Sequence, residues 1–304
     1  MKKVLLATSV LAMTAGFASA EITLSGSARM GVIDDFGDDN TGFTSRARVV
    51  FTLSGETDGG LAFGASFRAD NASDANSGDA GEVFISGAFG KLTMGDIDGA
   101  AQQAVGNVDG VGLTGLSDLN EAIYLHNATD SAASDPSAAY EYSTGAFTAI
   151  ISASNPDNNA GPLGADRDSV LGLGLKYAAG NYTVALGYES SDDLGLGVGA
   201  DHIILGASAT FGAVAVKANW GRAEDDNGVT ADQFHLSATY TADALAVTAF
   251  YSDEEDFLPL FGQGKGYGLG ASYDLGGGAK VVGGYAKNDT ADTDAFDLGL
   301  SFSF

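Results

Sequence analysis

The chain has 304 residues, with 40 Asp and Glu against 14 Lys and Arg, a formal net charge of −26 and no cysteine. That balance excludes nucleic acid as a partner, because phosphate binding needs clustered cations, and it excludes disulfides and thiolate chemistry. Acidity of this size accompanies disorder in chains short of apolar residues, but 45% hydrophobic content with 17 Phe and 11 Tyr argues against that here.

The first element is an export signal. Lys2 and Lys3 form a positive region, Val4 to about Gly16 is apolar, and Ala18-Ser19-Ala20 has the small-x-small form of a cleavage site. The apolar stretch is shorter than the roughly 20 residues a spanning helix needs, and no stop-transfer charges follow it. Residues 1–20 are therefore expected to be removed, leaving 21–304 as one domain of net charge −28 once Lys2 and Lys3 are gone. Any membrane residence falls to strands, since no other apolar stretch reaches helical spanning length.

From Glu21 the chain alternates with period 2. Ile22, Leu24, Gly26, Ala28, Met30 and Val32 share one face; Thr23, Ser25, Ser27 and Arg29 share the other. The segment 43–56 places Ala47, Val49, Phe51 and Leu53 outside and Arg46, Arg48, Thr52 and Ser54 inside. After a turn at Asp58-Gly59-Gly60, the chain returns through Leu61, Phe63, Ala65 and Phe67, opposed by Ser66, Arg68 and Asp70. Further strands are expected near 81–89, 90–96, 138–144 and 146–154. The second half repeats the pattern at 168–179, 181–190, 201–211, 213–222, 231–242, 244–252, 265–275, 279–287 and 294–304, about 16 strands in all.

Short turns recur near Gly145, Gly180, Gly212, Asp243 and Gly277, separated by 35, 32, 31 and 34 residues, the period of a hairpin plus one connection. Between them lie acidic connections such as Ser190–Asp193, Glu224–Gly228, Ser252–Asp256 and Asn288–Asp294. Tight turns at one end and acidic loops at the other, with aromatics such as Tyr177, Tyr188, Trp220, Tyr251 and Tyr285 on the apolar face, suit a transmembrane antiparallel β-barrel of the outer membrane. In a soluble sandwich those aromatics would be core.

One stretch, about 95–137, breaks the alternation and carries Asp96, Asp98, Asp109, Asp118, Glu121, Asp130 and Asp135, with no Lys or Arg between Lys91 and Arg167. Four of the 12 cations of the mature chain, Arg29, Arg46, Arg48 and Arg68, fall on the polar face of three consecutive strands about 4.8 Å apart. Clustered like charges need compensation. An acidic loop folded into the lumen opposite them would supply it and set up a transverse field across a constriction, for which arginine suits because it stays charged when crowded.

Glu21-Ile-Thr-Leu-Ser-Gly26, Ala28-Arg-Met-Gly-Val32, Ser45-Arg-Ala-Arg-Val49, Phe63-Gly-Ala-Ser-Phe67, Ser86-Gly-Ala-Phe-Gly-Lys91, Met94-Gly-Asp96, Gly180-Asn-Tyr-Thr-Val-Ala-Leu-Gly-Tyr-Glu189 and Gly270-Ala-Ser-Tyr-Asp-Leu-Gly-Gly-Gly278, with Phe304 at the end, carry a resemblance to the general diffusion porins of Rhodobacter-type alphaproteobacteria. It implies a homotrimer of 16-stranded barrels in an outer membrane containing lipopolysaccharide, each with a water-filled pore for small hydrophilic solutes and ions. It also implies a third loop folded inward after Asp96 into an eyelet, its acids (Asp96, Asp98, Asp109, Asp118, Glu121) facing Arg29, Arg46, Arg48 and Arg68. The resemblance admits calcium among Asp96, Asp98 and Asp109, and makes Phe304 a signal for the barrel-insertion machinery.

Two other classes of function compete with a pore. A hydrolase would need a nucleophile beside His126, His202 or His235, and none stands in a recognisable motif; inward-facing His202 and His235 suit a wet lumen. Asp96-Ile-Asp98-Gly99 and Asp225-Asp-Asn-Gly228 open like calcium loops but lack the closing glutamate, and Gly195-Leu-Gly-Val-Gly199 lacks the strand-to-helix setting of a phosphate loop. The remaining alternative is a plugged or adhesive structural barrel.

Overall fold

The computed structural model describes residues 20–36, 41–71, 77–128, 137–155, 168–195, 197–256 and 262–304. The first half of the barrel comprises β1 (Glu21–Asp34), β2 (Gly42–Glu56), β3 (Ala62–Asn71), β4 (Ser77–Gly87), β5 (Gly90–Gly95), β6 (Ser137–Thr144), β7 (Phe147–Ala153) and β8 (Leu171–Ala179). The second half comprises β9 (Tyr182–Ser191), β10 (Ala200–Phe211), β11 (Val214–Asp225), β12 (Thr230–Ala242), β13 (Leu245–Glu254), β14 (Lys265–Gly276), β15 (Ala279–Asn288) and β16 (Thr293–Ser303). Two short helices, α1 (Ala100–Val105) and α2 (Leu125–Ala128), lie between β5 and β6. The expected leader, apart from Ala20, and the acids Asp130 and Asp135 lie outside the described residues.

Every strand pairs antiparallel with its sequence neighbours, and β1 closes the barrel on β16 from Ser27↔Ser303 to Asp34↔Phe296. Closure satisfies the backbone without leaving an edge, the condition for spanning hydrocarbon with strands. The alternation read from the sequence sets the two faces. Leu173, Leu175, Ile203, Leu205, Leu269 and Leu298 point outward and exposed, as do the aromatics Tyr177, Tyr188, Trp220, Tyr251 and Tyr285. Such a continuous apolar belt is a liability in water. Against lipid, each large apolar side chain contributes about 1.5–3 kcal/mol.

The short turns stand where expected. Gly180 (φ 58°) and Asp243 (φ 50°) take the left-handed conformation that a two-residue hairpin requires, and Asp tolerates it better than most side chains. Strand ends differ more. β4 starts at Ser77, four residues before the expected 81, and β11 runs on to Asp225 instead of stopping at 222. The extension has a local cause: Arg222 makes a bidentate pair with Asp232 across β11 and β12, both bonds 2.7 Å. Asp225 then closes the turn by accepting the Asn227 and Val229 amides at 2.9 and 2.7 Å.

A barrel with alternating faces has no apolar core of its own. Among the described residues, all four buried apolar clusters involve the segment between β5 and β6. Val108, Val111, Leu116 and Leu119 pack on Phe250, Ala286 and Ala295; Ala100 and Ala104 pack on Ala139 and Ile150; Ala101, Ala122 and Tyr124 pack on Ile204. Leu125 joins Val170, Leu194, Ala200 and Ala231. Phe250, Ile204 and Ala286 have the opposite parity to exposed Tyr251, Ile203 and Tyr285, so the segment lies inside the barrel.

Candidate functional site

The inward segment leaves β5 at Gly95, a left-handed residue (φ 139°), and Asp96 N donates to Gly81 O at 2.9 Å. Helix α1 then lies flat on the wall because glycines line its seat. A methyl group on Gly174 would run into the Ala100 carbonyl and stand 2.7 Å from Ala104 Cβ; one on Gly187 would stand 2.6 Å from Ala101 Cβ. Beyond α1 the chain continues along the wall to β11 and β12, where Asp109 N donates to Ser237 Oγ at 2.9 Å and its carboxylate meets Lys217 Nζ at 2.6 Å.

The apex meets the β1–β16 seam. Asp297 accepts the amides of Leu113 and Thr114, while Arg29 Nη1 donates to their carbonyls at 3.3 and 3.4 Å. The chain reverses through Leu116, Ser117 and Asp118, with φ of 50°, 59° and 51°. The left-handed region costs about 1–2 kcal/mol per non-glycine residue, so the reversal persists only where its flanks are held. Burial of Leu116 and Leu119 and the bond from Asn120 Nδ2 to Val108 O (2.8 Å) hold them.

The return limb is tied to β12 and β9. Ile123 exchanges bonds of 2.8 and 2.9 Å with the side chain of Gln233. Glu189, fully buried, accepts the Leu125 amide at 2.9 Å, the His126 amide at 3.3 Å and His202 Nδ1 at 3.0 Å. This corrects the wet-lumen reading of the histidines. His202 and His235 are 2% and 0% exposed, and His235 pairs with Glu254 at 2.8 Å. His126 lies beside Ile97 O (3.2 Å) and Ser137 Oγ (3.1 Å), a structural tie between the ends of the segment.

The four arginines do face inward, but they are not equivalent. Arg48 donates to Asp70 Oδ2 at 2.8 Å, and Arg68 Nε stands 2.9 Å from Asp70 Oδ1 without hydrogen-bond alignment. Compensation of those two therefore comes from a carboxylate on β3. Arg29 is occupied by the loop carbonyls. Arg46, its cross-strand partner, is half-buried and makes no ion pair with a described residue.

Of the five loop acids, the structure gathers three. Asp118 lies within electrostatic reach of Arg29 and Arg46, and Asp98 and Asp118 both act on Glu121. Asp96 stays at the exit from β5, and Asp109 is on the β11–β12 wall. The calcium set Asp96, Asp98 and Asp109 is thus not assembled. Among the described residues, no group of three or more acidic or histidine side chains converges as a metal site. Parity marks Glu189, Gln233, Asp297 and Lys217 as inward, but nothing local in the sequence says which part of the loop each meets, nor that inward Asp70 pairs with Arg48 and Arg68.

Asp118 and Glu121 are open to the lumen yet ringed by barrel wall, and that desolvation raises both carboxyls above the ordinary range; for Glu121, Asp118 adds to the rise. Raised values mean that charge is lost at higher pH than for free carboxylates. Cation preference is therefore expected to decline on acidification before ordinary surface acids titrate. Reversal potentials under a salt gradient measured from pH 7 to pH 4 check this; a decline beginning only in the ordinary carboxylate range would contradict it.

The family model described as Gram-negative porin matches residues 7–293. The chain belongs to the Gram-negative porin family. It is 40% identical over 305 residues to a porin of Rhodobacter capsulatus, covering 93% of this chain and all of the relative, and 27% identical over the same span to a porin of Fuscovulum blasticum. A porin structure refined at 1.8 Å superposes with a TM-score of 0.78 at 39% identity, over 93% of this chain and all of that one. A porin mutant from Rh. blastica, at 24% identity and a TM-score of 0.71, shares the fold. This porin is accordingly an outer-membrane channel for passive diffusion of small solutes and not an enzyme, which sets aside the hydrolase and plugged-barrel alternatives.

Proposed function

We propose that this porin narrows to an eyelet where Asp98, Asp118 and Glu121 of the inward loop face the arginine wall of β1–β3, and that the transverse field there orients dipolar solutes as they diffuse through. The observation that carries this reading is the placement of Asp118 toward Arg29 and Arg46 by a loop bonded to the wall at both limbs. Pore width, wall polarity and this field supply the selectivity, without a bound cofactor. The acidic loops at one mouth favour cations weakly.

Assembly as a homotrimer through β1–β5 belongs to the same proposal. Those strands contain no Tyr or Trp, whereas Tyr177, Tyr188, Trp220, Tyr251 and Tyr285 line the outer face elsewhere. Amphipathic aromatics mark contact with the lipid interface, so a face without them suits contact with protein. The stacked Phe51–Phe67 pair, 4.8 Å between ring centroids, supplies a flat apolar surface there. On the lipid-facing side, Arg222, Lys265 and Lys287 stand near the loop ends, suited to the phosphates of lipopolysaccharide. Phe304, 79% exposed, is the residue we assign to recognition by the barrel-insertion machinery.

Planar-bilayer conductance of the refolded protein tests the reading. Ohmic steps grouped in threes, with a reversal potential displaced toward cations under a salt gradient, are the expected result. Single, unselective steps from a folded barrel would remove both the trimer and the charged eyelet.

A further inference from the structure

We infer that Asp297, on the last strand, is the positioning residue of the constriction. By gripping the Leu113 and Thr114 peptides it fixes the loop apex and thereby where Asp118 stands relative to Arg29 and Arg46. The inference rests on the eyelet reading above.

The geometry is that of a clamp. Asp297 Oδ1 accepts the Leu113 amide at 2.8 Å, while Oδ2 accepts the Thr114 amide at 2.7 Å and the Thr114 hydroxyl at 2.8 Å. Both carboxylate oxygens are thus committed to two consecutive residues of the loop, 184 and 183 positions away in sequence. Arg29 holds the same two residues by their carbonyls. A charged acceptor makes such bonds stronger than neutral ones, and two of them in parallel fix orientation as well as distance.

The surroundings are shaped for this contact. Gly112 (φ 86°) precedes the gripped peptides, and a methyl group on it would stand 2.8 Å from Asp297 Oδ1. Leu113 lies over Gly31 and Gly299, where methyl groups would meet its Cδ2 at 2.7 and 2.6 Å. Directly after the clamp come the left-handed residues Leu116, Ser117 and Asp118. A turn in that conformation holds its shape only where its neighbours over-determine it, and Asp297 is the carboxylate that anchors the upstream side through its amides, as Arg29 does through its carbonyls.

Asp297 is 3% exposed, so a permeating ion does not touch it. Its influence on selectivity passes through the loop. That separates it from Arg46, which is half-buried and acts on the lumen by its own field.

The test compares Asp297→Ala and Asp297→Glu in the refolded full barrel. The glutamate retains the charge and misplaces the carboxylate, so both variants are expected to raise open-channel current variance severalfold and broaden the conductance distribution. Amide hydrogen exchange is the readout independent of conduction. Leu113 and Thr114 are expected to exchange roughly tenfold faster or more in Asp297→Ala while the strand amides stay protected. Unchanged exchange at Leu113 and Thr114 overturns the clamp. Faster exchange with unaltered conductance and noise overturns its role in the constriction, as does an Asp297→Glu variant that behaves like the parent. Failure of the eyelet reading is distinguishable: Arg46→Glu would then leave the reversal potential unmoved, whatever the Asp297 variants do.

Discussion

Arg46→Glu is expected to move the zero-current potential under a salt gradient further toward cations than the same change at Arg48 or Arg68. Arg48 and Arg68 already share Asp70, at 2.8 and 2.9 Å. A new carboxylate beside Asp70 would be pushed toward its protonated form, so less charge would be reversed. Arg46 has Arg29 as its cross-strand partner and faces Asp118 over the lumen. A carboxylate there finds an arginine opposite, which relieves a like-charge contact and preserves the barrel.

At about 7 Å through water one unit charge acts on an ion with about 0.6 kcal/mol. Reversing the sign at Arg46 therefore stabilises a cation by about 1.2 kcal/mol and destabilises an anion by about as much, a change on the order of fiftyfold in the cation-to-anion permeability ratio at low salt. At 0.1 M salt, where the screening length is about 10 Å, the change shrinks. A reversal potential unchanged at 10 mM salt, with unaltered thermal stability, would mean that Arg46 does not line the narrow part of the pore.

Gly174→Val is expected to reduce single-channel conductance and thermal stability together. Its side chain would enter the space held by the Ala100 carbonyl and Ala104 Cβ, so α1 must lift off β8 toward the lumen. Overpacking of this kind costs about 1–3 kcal/mol. Lifting α1 carries Asp98, two residues before the helix, into the pore. Gly42→Ala is the control, because nothing lies within 4 Å of a methyl group there. Equal conductance in the two variants would show that the wall yields and the helix does not move.

Arg46 was legible as an inward cation because period-2 alternation assigns each residue of a strand to one face, and the outward neighbours Ala47, Val49 and Phe51 mark which face is apolar. The same alternation specified the outward aromatics, the closed barrel and the turns at Gly180 and Asp243. Strand ends were less legible where a side-chain pair lengthens the ladder, as Arg222 and Asp232 do in β11 and β12.

The acidic segment between β5 and β6 could be recognised as an inward loop but not traced. Which of its acids reach the arginines depends on contacts across the lumen. Asp109 is diverted to Lys217, whereas Asp118 is carried to Arg29 and Arg46 by a turn whose anchor, Asp297, belongs to the last strand. The burial of His202 and His235 is hidden from the sequence for the same reason, since an inward position does not say whether water or the loop covers it.

The sequence by itself determined the class of barrel, its two faces, its strand order and the inward arginines, because these follow from alternation and hairpin period, which are local. Only the tertiary structure decided the path of the loop, the pairing of Asp70 with two of the arginines, the clasp of Glu189 and His202 and the grip of Asp297. Those are contacts between residues far apart in sequence, set by closure of the barrel and by glycines that leave room for the loop. No periodicity along the chain encodes them.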